Sequence, residues 1–141
     1  MTGIEIPEKH FLTHFKPRFR DTDRVGHVNN AVYATYVEIA RVDWWTNVKK
    51  RNNGNPMSFI LGRLEIDYLV AINLGDELSI AMWVSRFGSK SWDFTFLIFN
   101  ENKTILHAKA KTVQVGYDYN EDKTVVINEI TRRYLNEIYN E

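Results

Sequence analysis

The chain has no cysteine, so it has no disulfide framework, no zinc–thiolate site and no thiol nucleophile. It has no excess of charge either. Eighteen Lys and Arg balance 18 Asp and Glu among 141 residues, for a net charge of zero. That balance argues against nonspecific association with nucleic acid or an anionic membrane. A run of about 18 apolar residues, enough for a helical membrane span, is missing. Residues 1–10 hold no apolar stretch of the secretory kind, so the expectation is a cytoplasmic protein. Repeats, low-complexity tracts and interior linkers are also missing, and the length suits a single domain over residues 1–141. No Gly-x-Ser-x-Gly elbow, phosphate-binding glycine loop or dinucleotide fingerprint occurs. The four histidines are His10, His14, His27 and His107. His10 and His14 are four apart, but His14 opens a strand-like stretch, so they need not share a helix face. Neither metal nor cofactor is expected.

What the chain does have is a core-forming composition, 44% hydrophobic and 13% aromatic. Residues 1–10 read as a loose arm. His14 to Arg20 alternates with Phe15, Pro17 and Phe19 on one face and reads as a strand, part of it unpaired because Pro17 has no N–H. From Ala31 to about Val48, Tyr33, Val37, Ala40, Trp44 and Val48 recur at helical spacing. Ala34, Tyr36, Ile39, Val42 and Trp45 widen that stripe, which predicts a mostly buried helix. Asn29 or Asn30 is suited to cap its start. Lys49-Lys50-Arg51 followed by Asn52-Asn53-Gly54-Asn55-Pro56 suits its end. Glu38 and Arg41 stand three apart, where they can pair. Strands follow within Met57–Ala71 and over Glu77–Phe87, Ser91–Asn100 and Thr104–Tyr117, joined by short turns. Ile127–Tyr139 closes the chain as a helix, its apolar face read as Ile130, Tyr134 and Ile138 over an amphipathic cap of residues 128–141. A strand, a long helix and an antiparallel meander curling over that helix make an α+β fold.

The chemistry concentrates in Arg20-Asp21-Thr22-Asp23-Arg24-Val25-Gly26-His27-Val28-Asn29-Asn30-Ala31-Val32-Tyr33. Two carboxylates, a glycine, an imidazole and two amides occupy one turn ahead of the helix. An acid/base group thus stands beside the free backbone N–H groups of a helix start, an arrangement suited to hydrolysing a carbonyl compound without metal or cofactor. Asp21 and Arg20 read as turn and surface pairing. Trp44 and Trp45 read as core, with a pocket wall as the alternative, and Phe59 and Tyr68 share that ambiguity.

Asp21 to Tyr33 resembles the signature of hot-dog fold acyl-CoA thioesterases of the 4-hydroxybenzoyl-CoA thioesterase type. Its His-Val-Asn-Asn form is similar to the long-chain acyl-CoA and plant acyl-ACP branches. Glu38-Ile39-Ala40-Arg41 resembles the Glu-x-Ala-Arg of the family's central helix, and Arg86-Phe87-Gly88-Ser89-Lys90-Ser91 its Arg-x-Gly-x-x-Ser turn. The resemblance covers roughly residues 12–120. It implies a hot-dog fold, a long central helix wrapped by a curved antiparallel sheet of about five to six strands. It also implies a homodimer or homotetramer with its active site at the subunit interface, and hydrolysis of an acyl-CoA or acyl-ACP thioester. The catalytic carboxylate falls on Asp23, as general base or nucleophile. His27 matches the histidine of its branch, and would donate a hydrogen bond to substrate or orient Asp23. Asn30 stands where another branch has histidine. Val25 and Ala71 stand where the plant enzymes carry an Asn and a later Glu, so the plant mechanism does not transfer whole.

On this reading Gly26, Val28, Asn29, Asn30 and Tyr33 contact substrate. The N–H groups near Val28 to Asn30 polarise its carbonyl, and Gly26 lets the chain pass close to the acyl group. Among the cations Lys49, Lys50, Arg51, Arg63, Arg86 and Lys90, the pair Arg86 and Lys90 flanks a glycine turn and is favoured for CoA phosphates. Two rival readings stand beside hydrolysis. One is a hot-dog hydratase or dehydratase, in which Asp and His are typically five apart with an Asn between; here Asp23 and His27 are four apart around Val25. The other is a module that binds acyl thioesters without turnover.

Overall fold

The computed structural model describes residues 3–53 and 58–141. Its strands are β1 (Phe11–Phe15), β2 (Phe59–Tyr68), β3 (Leu78–Phe87), β4 (Ser91–Asn100), β5 (Leu106–Asp118) and the short β6 (Lys123–Thr124). Its α-helices are α1 (Val32–Arg51) and α2 (Glu129–Asn136). All strand pairs are antiparallel, in the order β1-β3-β4-β5-β2 with β6 on β5. This is the α+β hot-dog architecture, with one correction. Only β3, β4 and β5 form a meander. β2 does not pair with β3; it crosses to the far edge of the sheet, with Phe59 opposite Gly116 and Tyr68 opposite Ala108. The near edge is filled by β1, with Phe15 opposite Leu78. The connection from Tyr68 to Leu78 is therefore a crossover, and it passes the start of α1.

The strand read over His14–Arg20 ends at Phe15. Pro17 cannot donate to a ladder, and Phe19–Asp21 tightens into a 3-10 turn. Residues 3–10 carry no regular structure, yet Ile4 and Ile6 pack on Ala81, Leu97 and Phe99 on the outer face of the sheet. Of the residues expected to stop α1, Gly54 to Pro56 lie outside the described residues, as does Met57; Asn52 donates to the Val48 carbonyl at 2.9 Å.

The core lies between α1 and the concave face of the sheet. Tyr36, Val37, Ala40, Trp44 and Val48 meet Ile80, Met82, Val84, Trp92, Phe94, Phe96 and Ile98. Trp44 sets its ring edge-on to Phe94 at 5.3 Å between centroids, a favourable aromatic geometry. Only one face of α1 is buried, however. Ile39 and Val42 stay exposed and Trp45 half-buried; no helix or strand among the described residues covers Ile39 and Val42. The closing helix is shorter than its sequence pattern. Asn128 caps it, its Oδ1 accepting the Thr131 N–H at 2.8 Å. Beyond Asn136 the chain leaves the helix so that the Ile138 carbonyl accepts the Val84 N–H at 2.8 Å, beside an irregularity in the β3–β4 register. Its buried face is Thr131, Tyr134 and Leu135, with Ile130 left exposed.

Candidate functional site

The loop from Asp21 to Asn30 is held by its own backbone. Thr22 and Val28 bridge each other, and His27 bridges Asn73 of the crossover. The Val28 N–H reaches the Ile72 carbonyl at 2.8 Å. Inside the loop, the Asp23 N–H donates to the His27 carbonyl at 2.7 Å. Asp23 Oδ1 accepts the N–H groups of Val25 at 2.9 Å and His27 at 3.2 Å. One carboxylate oxygen thus shapes the turn, and Oδ2 has no hydrogen-bond partner among the described residues. Gly26 has φ +83°, a left-handed conformation that favours glycine. An added Cβ there would touch nothing, so the glycine answers to backbone conformation and not to space.

Asp21 carries this loop. Expected at the surface, it is 3% exposed. Its Oδ2 accepts the Arg18 N–H at 2.8 Å and the Tyr36 hydroxyl at 2.8 Å, and its Oδ1 the Arg18 guanidinium at 3.2 Å. Burial by itself would raise its pKa, but the hydrogen bonds from the Arg18 N–H, the Tyr36 hydroxyl and the Arg18 side chain outweigh it and hold the carboxyl below its ordinary 3.8. Burial, with the Asp21 carboxylate beside it, raises the Tyr36 hydroxyl in turn. A lowered folded-state pKa means the carboxylate contributes stability above its unfolded pKa, and this is lost as pH falls through the folded value. Asp21→Asn is therefore expected to flatten the acid limb of stability below about pH 4. It should also lower stability near pH 7 by about 1–3 kcal/mol. Urea unfolding as a function of pH checks both, and an acid limb identical to wild type would remove Asp21 from this role.

A cavity of about 330 Å³ opens beside the loop, lined by Asp23, His27, Val28, Asn30 and Tyr33 together with Tyr68, Leu69, Val70 and Ala71. The structure therefore brings together five of the nine site residues named from sequence, with Tyr68, read as core or pocket wall, and Ala71 beside them, while Gly26 is not in the lining. Asn29 lies outside the lining. Its Oδ1 accepts the Ala31 N–H at 2.9 Å, a side-chain turn two residues ahead of the N-cap at Ala31, which has no side-chain cap of its own. The start of α1 offers fewer free donors than expected. The Val28 N–H is taken by Ile72 and the Asn29 N–H by the Asp21 carbonyl, which leaves Asn30 as the one of the three without a backbone partner among the described residues. Tyr68 donates its hydroxyl to the Asn30 carbonyl at 2.9 Å and sets its ring edge-on to Tyr33 at 4.8 Å, which ties β2 to the helix start. Burial raises the Tyr33 hydroxyl above its ordinary range. Leu69 and Val70 carried no signal in the sequence, and Ala71 was named only through the resemblance to the plant branch. The His107 carbonyl positions them by accepting the Leu69 and Val70 N–H groups at 2.9 and 3.1 Å. At Ala71 a methyl group lines the cavity, at the position where the resemblance implies a carboxylate in the plant branch.

Arg86 and Lys90 are not part of this assembly. They lie at the far end of β3, about 27 Å along the strand from Leu78. The Arg86 guanidinium is held by Asp93 at 2.8 Å and by Ser91 Oγ at 2.9 Å. A Cβ on Gly88 would come within 2.9 Å of it, so the Arg-x-Gly-x-x-Ser pattern is accounted for as a turn lock. Lys90 uses its carbonyl to accept the Gly116 N–H at 2.8 Å and makes no ion pair among the described residues. Arg51 is bound to Glu137, Arg63 to Glu65, and Lys49 sits over the Trp45 ring. Glu38 and Arg41, expected to pair, form no ion pair among the described residues, although Glu38 acts on the Arg41 charge through space. Among the described residues no group of three His, Asp or Glu could hold a metal ion, and no helix is long and apolar enough to cross a membrane.

Comparison with known proteins bears on the family and the fold. The model of the thioesterase-like superfamily matches residues 17–136. A thioesterase from Thermus thermophilus, solved with coenzyme A and Zn, is 28% identical and superposes with a TM-score of 0.78 over 94% of this chain and 97% of its own. A 1,4-dihydroxy-2-naphthoyl-CoA thioesterase from Synechocystis, 17% identical, shares the fold with a TM-score of 0.77 over 89% and 95% of the two chains. YsmA of Bacillus subtilis, itself uncharacterised, is 26% identical over 100 residues, 67% of this chain and 68% of its own.

Proposed function

The chain belongs to the thioesterase-like superfamily, and from that premise we propose that it hydrolyses an acyl-CoA thioester to a carboxylic acid and CoA at the cavity beside Asp23. The observation that carries this reading is that one 330 Å³ cavity is lined by Asp23, Asn30 and His27, where among the described residues neither Asp23 Oδ2 nor the Asn30 N–H has a hydrogen-bond partner. A thioester carbonyl is already electrophilic and thiolate is a ready leaving group. Water activation and oxyanion stabilisation are what the protein must supply. Asp23 Oδ2 takes a proton from water as the water oxygen bonds to the carbonyl carbon. The Asn30 N–H faces the oxygen as negative charge develops. The C–S bond then breaks, and the thiolate leaves and is protonated. Asp23 attacking directly, to give a mixed anhydride that water then opens, uses the same atom. His27 hydrogen-bonds the substrate or orients the carboxylate. An acyl-carrier-protein thioester is the alternative substrate form.

The active protein on this reading is a homo-oligomer. β2 is a ten-residue edge strand with Leu61 and Leu64 exposed and no partner on its outer side among the described residues. The exposed Ile39 and Val42 of α1 add apolar surface. Long exposed edges of this kind are sites for pairing with another chain.

Thiol release from a panel of acyl-CoAs, short aliphatic, long aliphatic and aromatic, tests the proposal. Release from at least one member at a rate well above the uncatalysed background is the expected result. Folded protein that releases no thiol from any acyl-CoA or acyl-carrier-protein substrate would overturn it. A hydrated acyl product without free thiol would reassign the site to hydration, and saturable binding without any product would reassign it to a binding module.

A further inference from the structure

Where the sheet hands the chain to the crossover stands a buried imidazole, that of His107, which is outside the cavity lining. His107 is 3% exposed and sits at an irregularity of β5. Ile98 pairs with Ala108 and Phe99 with Leu106, so His107 is an extra residue with no counterpart on β4. A bulge of this kind re-aims the side chain it carries. The ladder between β2 and β5 also ends here, its last rung joining Tyr68 to Ala108. Beyond that rung His107 grips the departing chain through both its backbone and its ring. Its carbonyl accepts the Leu69 and Val70 N–H groups, and its Nδ1 meets the Val70 carbonyl at 3.0 Å. A carbonyl only accepts, so Nδ1 carries the proton in this contact. Val70 thus has its N–H and its C=O bound by the same residue. The other ring nitrogen, Nε2, is shut off from solvent without a hydrogen-bond partner among the described residues. An unmet buried nitrogen is unfavourable, and leucine would avoid it. What histidine supplies at this position is the Nδ1 donor.

We propose that His107 is a positioning residue for the cavity beside Asp23, its Nδ1–H fixing Val70 and with it the apolar wall formed by Leu69, Val70 and Ala71. The crossover is tied at two places. His107 holds it where it leaves β2. Further on it is joined to the loop that carries Asp23: the Ile72 carbonyl accepts the Val28 N–H at 2.8 Å, the Leu74 N–H reaches the Gly26 carbonyl at 3.3 Å, and Asn73 bridges His27. Between these ties Leu69 to Ala71 belong to no helix or strand. Leu69 and Val70 are 51% and 47% exposed, so packing does little to hold them, and the wall keeps its place through hydrogen bonds. An acyl group lying against a wall that shifts by about 1 Å loses its alignment with Asp23. His107 therefore acts on which acyl groups fit and how tightly, without touching them. The consequence for turnover rests on the thioesterase reading above; the tie between His107 and the crossover does not.

The test compares three substitutions in the full chain. His107→Leu keeps the bulk and removes the donor. His107→Asn places an amide nitrogen near the position of Nδ1, and His107→Gln places one near Nε2. Across the acyl-CoA panel, His107→Leu and His107→Gln are expected to raise KM about 5–10-fold, the scale of one hydrogen bond, and to flatten the preference in kcat/KM among acyl groups. His107→Asn should restore both. A smaller folded fraction lowers kcat for every substrate alike and leaves KM and the preference where they were. KM and preference equal to wild type in His107→Leu therefore overturn the proposal, as does asparagine doing no better than glutamine. Should His107→Leu not fold, the Asn and Gln variants decide on the same terms. Amide hydrogen exchange at Val70 and Val28 reads the tie without any substrate. Faster exchange at both in His107→Gln than in His107→Asn is expected, and equal exchange counts against the proposal. In a wild-type protein that releases no thiol at all, that exchange difference would leave the tie standing and remove the thioesterase reading alone.

Discussion

Asp23→Asn is expected to lower thiol release from acyl-CoA by about 10²–10⁴-fold, the scale of a lost general base, with stability close to wild type. The two oxygens of Asp23 make this substitution informative. Oδ1 accepts the Val25 and His27 N–H groups, and an asparagine keeps that acceptor, so the turn persists. What is lost is the charge and basicity at Oδ2. Asp23→Ala removes both roles and adds a loss of about 1 kcal/mol for each loop hydrogen bond, so it cannot separate chemistry from architecture. Steady-state thiol release and urea unfolding of the same Asn variant decide the matter. Undiminished turnover would take Asp23 out of the reaction, and a large drop in stability would make its loss of activity a folding effect.

Trp44→Ala carries the largest expected effect on stability, a loss of about 3–5 kcal/mol. The side chain is fully buried on the inner face of α1 and stands edge-on to Phe94 at 5.3 Å. Phe94 in turn meets Trp92 and Phe96, each at 6.1 Å. The hole left by an indole cannot be refilled by neighbours locked in a strand ladder and a helix. For a domain with about 5–15 kcal/mol in total, such a loss consumes much of the margin. Trp44→Phe should recover most of it by keeping a ring against Phe94. Urea unfolding followed through the remaining tryptophans measures both, and a loss under 1 kcal/mol in the alanine variant would mean that α1 is held elsewhere.

The parts of this molecule governed by local rules were legible in its sequence. β4 begins at Ser91 and ends at Asn100 as its alternation predicts, because Trp92, Phe94, Phe96 and Ile98 all bury on one face. The motif from Asp23 to Tyr33 was legible because one turn and one helix start hold most of it. The crossover of β2 was not, since hydrophobic alternation says which face of a strand is buried and nothing about which strand lies beside it. Leu69 to Ala71 entered the cavity lining through that crossover, so no local pattern could name them. Asp21 was misread as surface because its partners, Arg18 and Tyr36, lie on either side of the loop, Tyr36 fifteen residues away in sequence. The partners of Arg86 were not legible, because the turn that holds it, and Asp93 across the ladder, show only when the hairpin is closed. Ile39 and Val42 lengthened an apolar stripe that predicts burial, but one chain lacks the surface to cover them.

The strand order also sets a sequence of events. β3, β4 and β5 are joined by short turns and close on themselves. β1 must wait for Leu78, paired with its Phe15, and β2 for Gly116, paired with its Phe59. A ribosome therefore releases the loop around Asp23, the aromatic face of α1 and the whole of β2 before the strands that shelter them exist. The segment bearing the candidate chemistry is made before the strands it packs on and is among the last to find its place, so its assembly is timed by the arrival of β5.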